Sequence, residues 1–264
     1  MQPRVRIGTS GWSYDDWVGP FYPSGTSKGE YLAHYASRFD TVEVDSTFHR
    51  SPSPSMVQNW ARRTPDDFAF ALKVPRTITH DKVVVDCGEE MEGLLAALGP
   101  LEGRLRCLLL QFGYFNRAAF GSARPFFERL EAFLGTFSRR VPLACEIRNK
   151  NWLTADYFEL LRAHNVAAAL VEHAWLPPIG RLIEQFDVVT GPFSYVRLIG
   201  DRQGIEKITR VWDRTVVDRS ADLSRVADAV RRLAERVPVY VLVNNHYAGH
   251  GPQTCRDLRA VYDS

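Results

Sequence analysis

The sequence predicts an α/β protein, a (β/α)8 TIM barrel forming a single domain over residues 1–264. Three observations predict it. Eight short β-rich runs alternate with stretches of helical spacing, the units recur about every 33 residues, and no linker, low-complexity tract or charge block divides the chain. The composition agrees: 45% hydrophobic, 24% charged and 12% aromatic residues exclude a disordered, collagen-like or coiled-coil chain. With 33 Lys+Arg against 31 Asp+Glu, the net charge of +2 is too small to draw a polyanion by the field of the whole molecule. Any anionic partner must meet a local cluster.

The expected strands are residues 5–9, 41–46, 68–74, 106–112, 142–148, 166–172, 193–199 and 238–244. Between them, apolar residues at helical spacing place helices at 29–37, 56–63, 91–98, 125–137 and 155–164. The clearest pattern is Leu223, Val226, Ala227, Val230, Leu233 and Ala234, with Ser220 or Asp218 placed to cap it. The sixth unit is the weakest, because Pro177-Pro178 and Gly180 leave room for only a short helix before Phe193. Residues 201–219, with five bases against four acids, read as a lid or as a solvated insertion.

The opening Met1-Gln2-Pro3-Arg4-Val5-Arg6 lacks the apolar run of a signal peptide, and no stretch approaches ~18 continuous apolar residues. A cytoplasmic protein without a membrane partner is expected. Cys87, Cys107, Cys145 and Cys255 are dispersed with no Cys-x-x-Cys pair, which suggests neither a zinc knuckle nor a disulfide framework.

Barrels of this class carry their chemistry where the strands end, at the C-terminal face. Side chains alternate along a strand, so Glu43 shares a face with Asp45, and Glu146 with Arg148. Lys73, Gln111, Glu172 and Arg197 end the third, fourth, sixth and seventh strands, and the eighth delivers Asn244-Asn245-His246. Four acids and three bases therefore converge on one end. Buried charge of that density must pair, meet water or receive a ligand. The acid/base candidates are Glu43, Asp45, Glu146 and His246. Lys73, Arg148 and Arg197 are candidates for an anionic group, with Trp12, Tyr14, His80, Trp152, Asn244 and Asn245 completing a binding surface. Five aromatics within residues 12–22 either cover the rim or stack on a ligand, and His49 and His80 each stand in a mouth loop. The turn Asn245-His246-Tyr247-Ala248-Gly249-His250-Gly251-Pro252 lies where many barrels hold a phosphate.

No nucleotide-cofactor fingerprint and no Gly-x-Ser-x-Gly elbow is present. His80, His173, His246 and His250 with Glu146 and Glu172 permit a divalent metal, but no spacing commits them to one.

Ile7-Gly8-Thr9-Ser10-Gly11-Trp12-Ser13-Tyr14, Thr41-Val42-Glu43 with Ser46-Thr47-Phe48, Lys73 with Thr79-His80, Glu146 and Arg148 with Trp152, Tyr195-Val196-Arg197 and Asn244-Asn245-His246 resemble the domain of unknown function 72 family, also called YecE-like. The resemblance spans nearly the whole chain. It implies a single TIM barrel without an established activity, similar in fold to endonuclease IV and xylose isomerase-like barrels, an analogy from which nucleic-acid binding has been proposed. Asp45 stands where the family often has Asn, and His49 where it often has Tyr, which adds an acid and a base to the mouth. Unlike endonuclease IV, the sequence shows no histidine-rich set for three zincs. The leading expectation is an enzyme acting through carboxylates, a hydrolase, lyase or isomerase, on a small phosphorylated or sugar-like anionic ligand. The alternatives are a nucleic-acid binding or processing protein and a non-catalytic binding protein.

Overall fold

In the computed structural model, which describes residues 4–264, eight parallel strands close into a barrel in chain order. They are β1 (Val5–Ser10), β2 (Thr41–Val44), β3 (Ala69–Lys73), β4 (Leu105–Gln111), β5 (Leu143–Glu146), β6 (Ala167–His173), β7 (Ser194–Gly200) and β8 (Val239–Val243). The expected strands match these to within a few residues at each end. The segment 1–3, read above for a leader, lies outside the described residues. No helix among the described residues is long and apolar enough to cross a membrane.

Around the barrel run α1 (Tyr31–Ala36), α2 (Pro54–Arg62), α3 (Gly88–Ala97), α4 (Arg124–Phe137), α5 (Ala155–Ala163), α6 (Ile179–Gln185), α7 (Arg202–Glu206), α8 (Ser220–Ala234) and α9 (Gly251–Asp263). As the prolines implied, α6 has only seven residues. The N-cap position of α8 is Arg219, not Ser220 or Asp218 as expected, and Asp218 acts one residue earlier, its Oδ1 accepting the Ser220 amide at 2.9 Å. The segment 201–219 contains α7 and is tied down at its far end, where the Trp212 amide donates to Asp16 at 3.0 Å and the Val216 amide to the Ala248 carbonyl at 2.8 Å. All four cysteines are free and buried.

The layer between sheet and helices is a continuous apolar core, as expected for parallel strands buried on both faces. The inside is built differently. Its lower layers pair small residues, Ala69, Ala71, Ala144, Ala167 and Ala169, with the large Phe193, Tyr195 and Tyr240. Small side chains on β3, β5 and β6 thus leave space for β7 and β8 to reach across the lumen. That space admits the charged groups of the layer above.

Closure between β1 and β2 has its own device. Only Thr9↔Val42 and Ser10↔Glu43 are in register, whereas β1 pairs with β8 over five positions. Below that short ladder the buried Tyr35 hydroxyl accepts the Thr9 amide at 2.8 Å and donates to the Thr41 carbonyl at 3.0 Å, bridging the two strands. Gly8 is required beside it, since a Cβ there would lie 2.0 Å from the Thr41 carbonyl oxygen. Replacing Tyr35 with Phe leaves a buried amide without its acceptor and is predicted to destabilise the fold by about 1–3 kcal/mol. The control Tyr114→Phe, at a residue 70% exposed, should stay within about 0.5 kcal/mol. Urea unfolding midpoints of the two variants check this.

Candidate active site at the barrel mouth

The alternation that aims Glu43 and Glu146 inward is realised, and both are wholly buried. Arg197 of β7 lies between them. Its Nε and Nη2 donate to the two oxygens of Glu43 at 2.8 and 2.6 Å, and its Nη1 donates to Glu146 Oε2 at 2.6 Å. Tyr195, two residues back on the same face of β7, donates its hydroxyl to Glu43 Oε2 at 2.8 Å. Arg148 closes the chain, with Nε donating to Glu146 Oε1 at 2.5 Å. Every carboxylate oxygen of this floor has a donor, the condition under which buried charge is tolerated. Burial alone would raise both carboxyls. The cations override it: Arg197 holds Glu43 below its ordinary value, and Arg148 with Arg197 holds Glu146 down at about 2.

One step nearer solvent the pairing loosens. Asp45, with a side chain 32% exposed, lies 3.6 Å from the Lys73 ammonium and 3.9 Å from Arg197, and its buried Oδ1 has no hydrogen-bond donor. Burial, then the neighbouring Glu43 carboxylate, raises Asp45 above its ordinary value. Lys73 rests over the Phe48 ring at 4.3 Å, and His80 meets the other edge of that ring with centroids 4.9 Å apart. His80 is carried by a π-helical turn, Thr77–Asp81, and its Nδ1 is 2.9 Å from the Thr79 hydroxyl. Three non-glycine residues with positive φ follow, Val83 (45°), Val84 (56°) and Asp86 (46°). Backbone of this kind is disfavoured, especially for β-branched Val, and concentrates at functional sites. Burial, with Lys73 nearby, lowers the His80 imidazole, so it is neutral at pH 7. Tyr14 leans over the same acids, its hydroxyl donating to the Ser10 carbonyl at 3.0 Å and pushed up by burial and by Asp45 and Glu43.

The family model for "Protein of unknown function DUF72" matches residues 6–264. The chain belongs to the DUF72 family. A DUF72 protein of Thermotoga maritima shares 27% identity and superposes with a TM-score of 0.79 over 98% of this chain and 99% of that one. The Escherichia coli K-12 protein YecE is 33% identical over 107 residues, 40% of this chain, and this DUF72 chain spans only 37% of that relative's length. D-psicose 3-epimerase, solved in the presence of D-fructose, is similar in fold alone, with 12% identity and a TM-score of 0.58 over 98% of this chain and 97% of that one.

Elsewhere in this DUF72 barrel the expected residues separate. Glu172 corrects the expectation of four converging acids. Ala167, Ala169 and Val171 are the inward residues of β6, so Glu172 faces the helices, where its Oε1 accepts the Ile179 amide at 2.8 Å. A register shift between Glu172 and His173 accompanies the turn of His173 into the mouth. There burial, then Arg148, lowers its imidazole to about 4, so it is neutral at pH 7. The mouth layer is therefore three acids, Glu43, Asp45 and Glu146, against three bases, Lys73, Arg148 and Arg197.

His246 stands at the rim with Nε2 3.1 Å from Glu206 and Nδ1 2.5 Å from Asn244, under the Trp212 ring at 4.6 Å. Asn245 is buried, and its Oδ1 accepts the Gly251 amide at 2.8 Å, occupying a first-turn N–H of α9 where a phosphate was expected. Trp152 is packed among Phe115, Phe120 and Phe126. Trp12 lies edge-on to Trp60 at 5.7 Å, and Trp17, Phe21 and Tyr22 are buried, so most of the aromatic loop covers the rim. His49 is exposed. No three His, Cys, Asp or Glu side chains converge as a ligand set among the described residues.

Sequence reasoning passed over the roles of Tyr195 and His173. The period-two count from Arg197 points to Tyr195. The same count along β6, from Ala167 through Ala169 and Val171, points to His173.

Removing Arg197 leaves two uncompensated carboxylates in the barrel. Arg197→Met is predicted to lower stability by about 3–5 kcal/mol, read as a fall in the urea midpoint at pH 7. The acid dependence has a defined sign. Glu43 and Glu146 titrate lower when folded than unfolded, so their contribution is complete above the unfolded value of 4.5 and is lost as pH falls toward about 2. Glu146→Gln should flatten the loss of stability between pH 4.5 and about 2 relative to wild type, measured by denaturant titration at each pH.

Proposed function

We propose that the barrel mouth binds a small phosphorylated or polyhydroxylated, sugar-like molecule and moves a proton on it. The observation that supports this reading is Asp45, a carboxyl with a raised pKa and an unpartnered oxygen, set between a fully satisfied charged floor and the open mouth. A purely structural interior has no use for such a group. Asp45 acts as the general acid/base. Lys73 and Arg148 hold the anionic or hydroxyl-rich part of the ligand, with His80, Tyr14 and neutral His173 orienting it. Glu43, Glu146 and Arg197, saturated by each other and by Tyr195, act as positioning residues that fix Lys73 and Arg148 electrostatically.

The balance of three acids and three bases favours a small ligand over a polynucleotide, which needs a net basic track and binds with steep salt dependence. A phosphorylated sugar is predicted to raise the Tm of the wild type in a thermal-shift panel of sugar phosphates, free sugars and orthophosphate. Lys73→Ala and Arg148→Ala should each abolish that shift. Asp45→Asn should keep it, remain at least as stable as wild type at pH 7, and lose about 10²–10⁴-fold in turnover. The stability follows from the raised pKa: the ionised carboxylate is disfavoured in the fold, so stability tied to the protonated form is lost as pH rises past the unfolded value of 3.8. A panel with no stabilising member, or a shift indifferent to Lys73 and Arg148, contradicts the reading.

A further inference from the structure

Beside the mouth, over the ends of β4, β5 and β6, opens a cleft of about 790 Å3 lined by Tyr114, Arg148, Lys150, Trp175, Pro178 and Arg181 among others. Its size is that of a site for an organic ligand rather than a single ion. Two features set it apart. Tyr114 and Trp175 are 70% and 63% exposed, although rings of this size are normally drawn into the core. Three cations share the lining, and no carboxylate does. Arg148 engages Glu146 through Nε, while Lys150 and Arg181 pair with no carboxylate among the described residues.

A phosphate or sugar alone would leave the two rings without purpose, and an apolar ligand would leave the three cations without one. A flat ring system that carries negative charge uses both. Rings stack on Trp and Tyr faces, and guanidinium groups hold phosphate oxygens in a fork. Arg148 belongs at once to the floor, through Glu146, and to this cleft, so a ligand lodged here is directed toward the mouth.

We propose that the cleft is a subsite for a nucleoside monophosphate: the base against Trp175 and Tyr114, the phosphate on Arg148, Lys150 and Arg181, and the ribose toward the mouth. This rests on the reading of the mouth as a small-ligand site and specifies its substrate class. A single nucleotide, rather than a strand, suits a bounded cleft in a chain of net charge +2.

The test is calorimetric titration of the full chain with adenosine and uridine 5′-monophosphates, ribose 5-phosphate, orthophosphate and a ten-nucleotide single strand. At least one mononucleotide should bind more tightly than ribose 5-phosphate by roughly 5- to 150-fold, the range of one stacked base. Trp175→Ala should erase that preference while Trp175→Phe retains most of it, and the exposed position makes both variants readily foldable. Arg181→Ala should weaken nucleotide binding without altering the base preference. Equal affinity for ribose 5-phosphate and the mononucleotides, unaffected by Trp175→Ala, overturns the subsite and leaves the small-ligand reading standing. No binding by any of these probes, together with a thermal-shift panel in which no sugar or sugar phosphate stabilises the chain, overturns both. Binding only of the single strand, with a steep loss in salt, overturns the proposal in favour of a polynucleotide surface.

Discussion

The Arg197 guanidinium, held between Glu43 and Glu146 inside the barrel, is the interaction on which the rest of the mouth depends. A cation in a lumen of this kind is destabilising unless each donor finds an acceptor, and each carboxylate is equally unstable without the cation. The group solves both problems with three strands: β2 and β5 bring the acids, and β7 brings the arginine and Tyr195. The alanines of β3, β5 and β6 below it make the reach across the lumen possible. Packing and electrostatics are therefore one constraint. Enlarging the lower layer would push Tyr195 and Arg197 away from their partners.

That constraint divides the site into two levels. The floor is paired throughout, with low carboxyl pKa values and a donor on every carboxylate oxygen. The level above it is not, because Arg197 turns its hydrogen bonds to Glu43 and Glu146 and lies 3.9 Å from Asp45, while Lys73 approaches Asp45 only to 3.6 Å. A ligand arriving from solvent meets loosely paired groups resting on rigid ones, the arrangement that holds reacting groups in place without reorganisation. The strained turn that presents His80 belongs to the same level, whereas His246 is bound into the rim through Glu206 and Asn244.

Much of this could be read from the sequence because a barrel strand is a strict alternator. Counting in twos from Glu43, Glu146 and Arg197 places all three inside, and the eight-fold recurrence supplies the closed sheet that makes them meet. Along β6 the same rule, counted from Ala167, turns Glu172 toward the helices and His173 into the mouth, so taking Glu172 as the strand's inward end chose the wrong residue of that pair. Loop residues were less accessible still. Asn245 satisfies an amide of α9 and Trp152 fills an aromatic cluster, roles set by chain reversals that no periodicity encodes. The cleft of Tyr114 and Trp175 joins loops about 60 residues apart, and nothing local marks either ring as exposed.

Carboxyl carbon NMR titration of the full chain separates an ionised floor from a poised Asp45. Asp45 is expected to titrate above the ordinary aspartate value, Glu43 below the ordinary glutamate value and Glu146 near 2. An Asp45 that titrates at or below its ordinary value, with Glu43 or Glu146 above theirs, would contradict it.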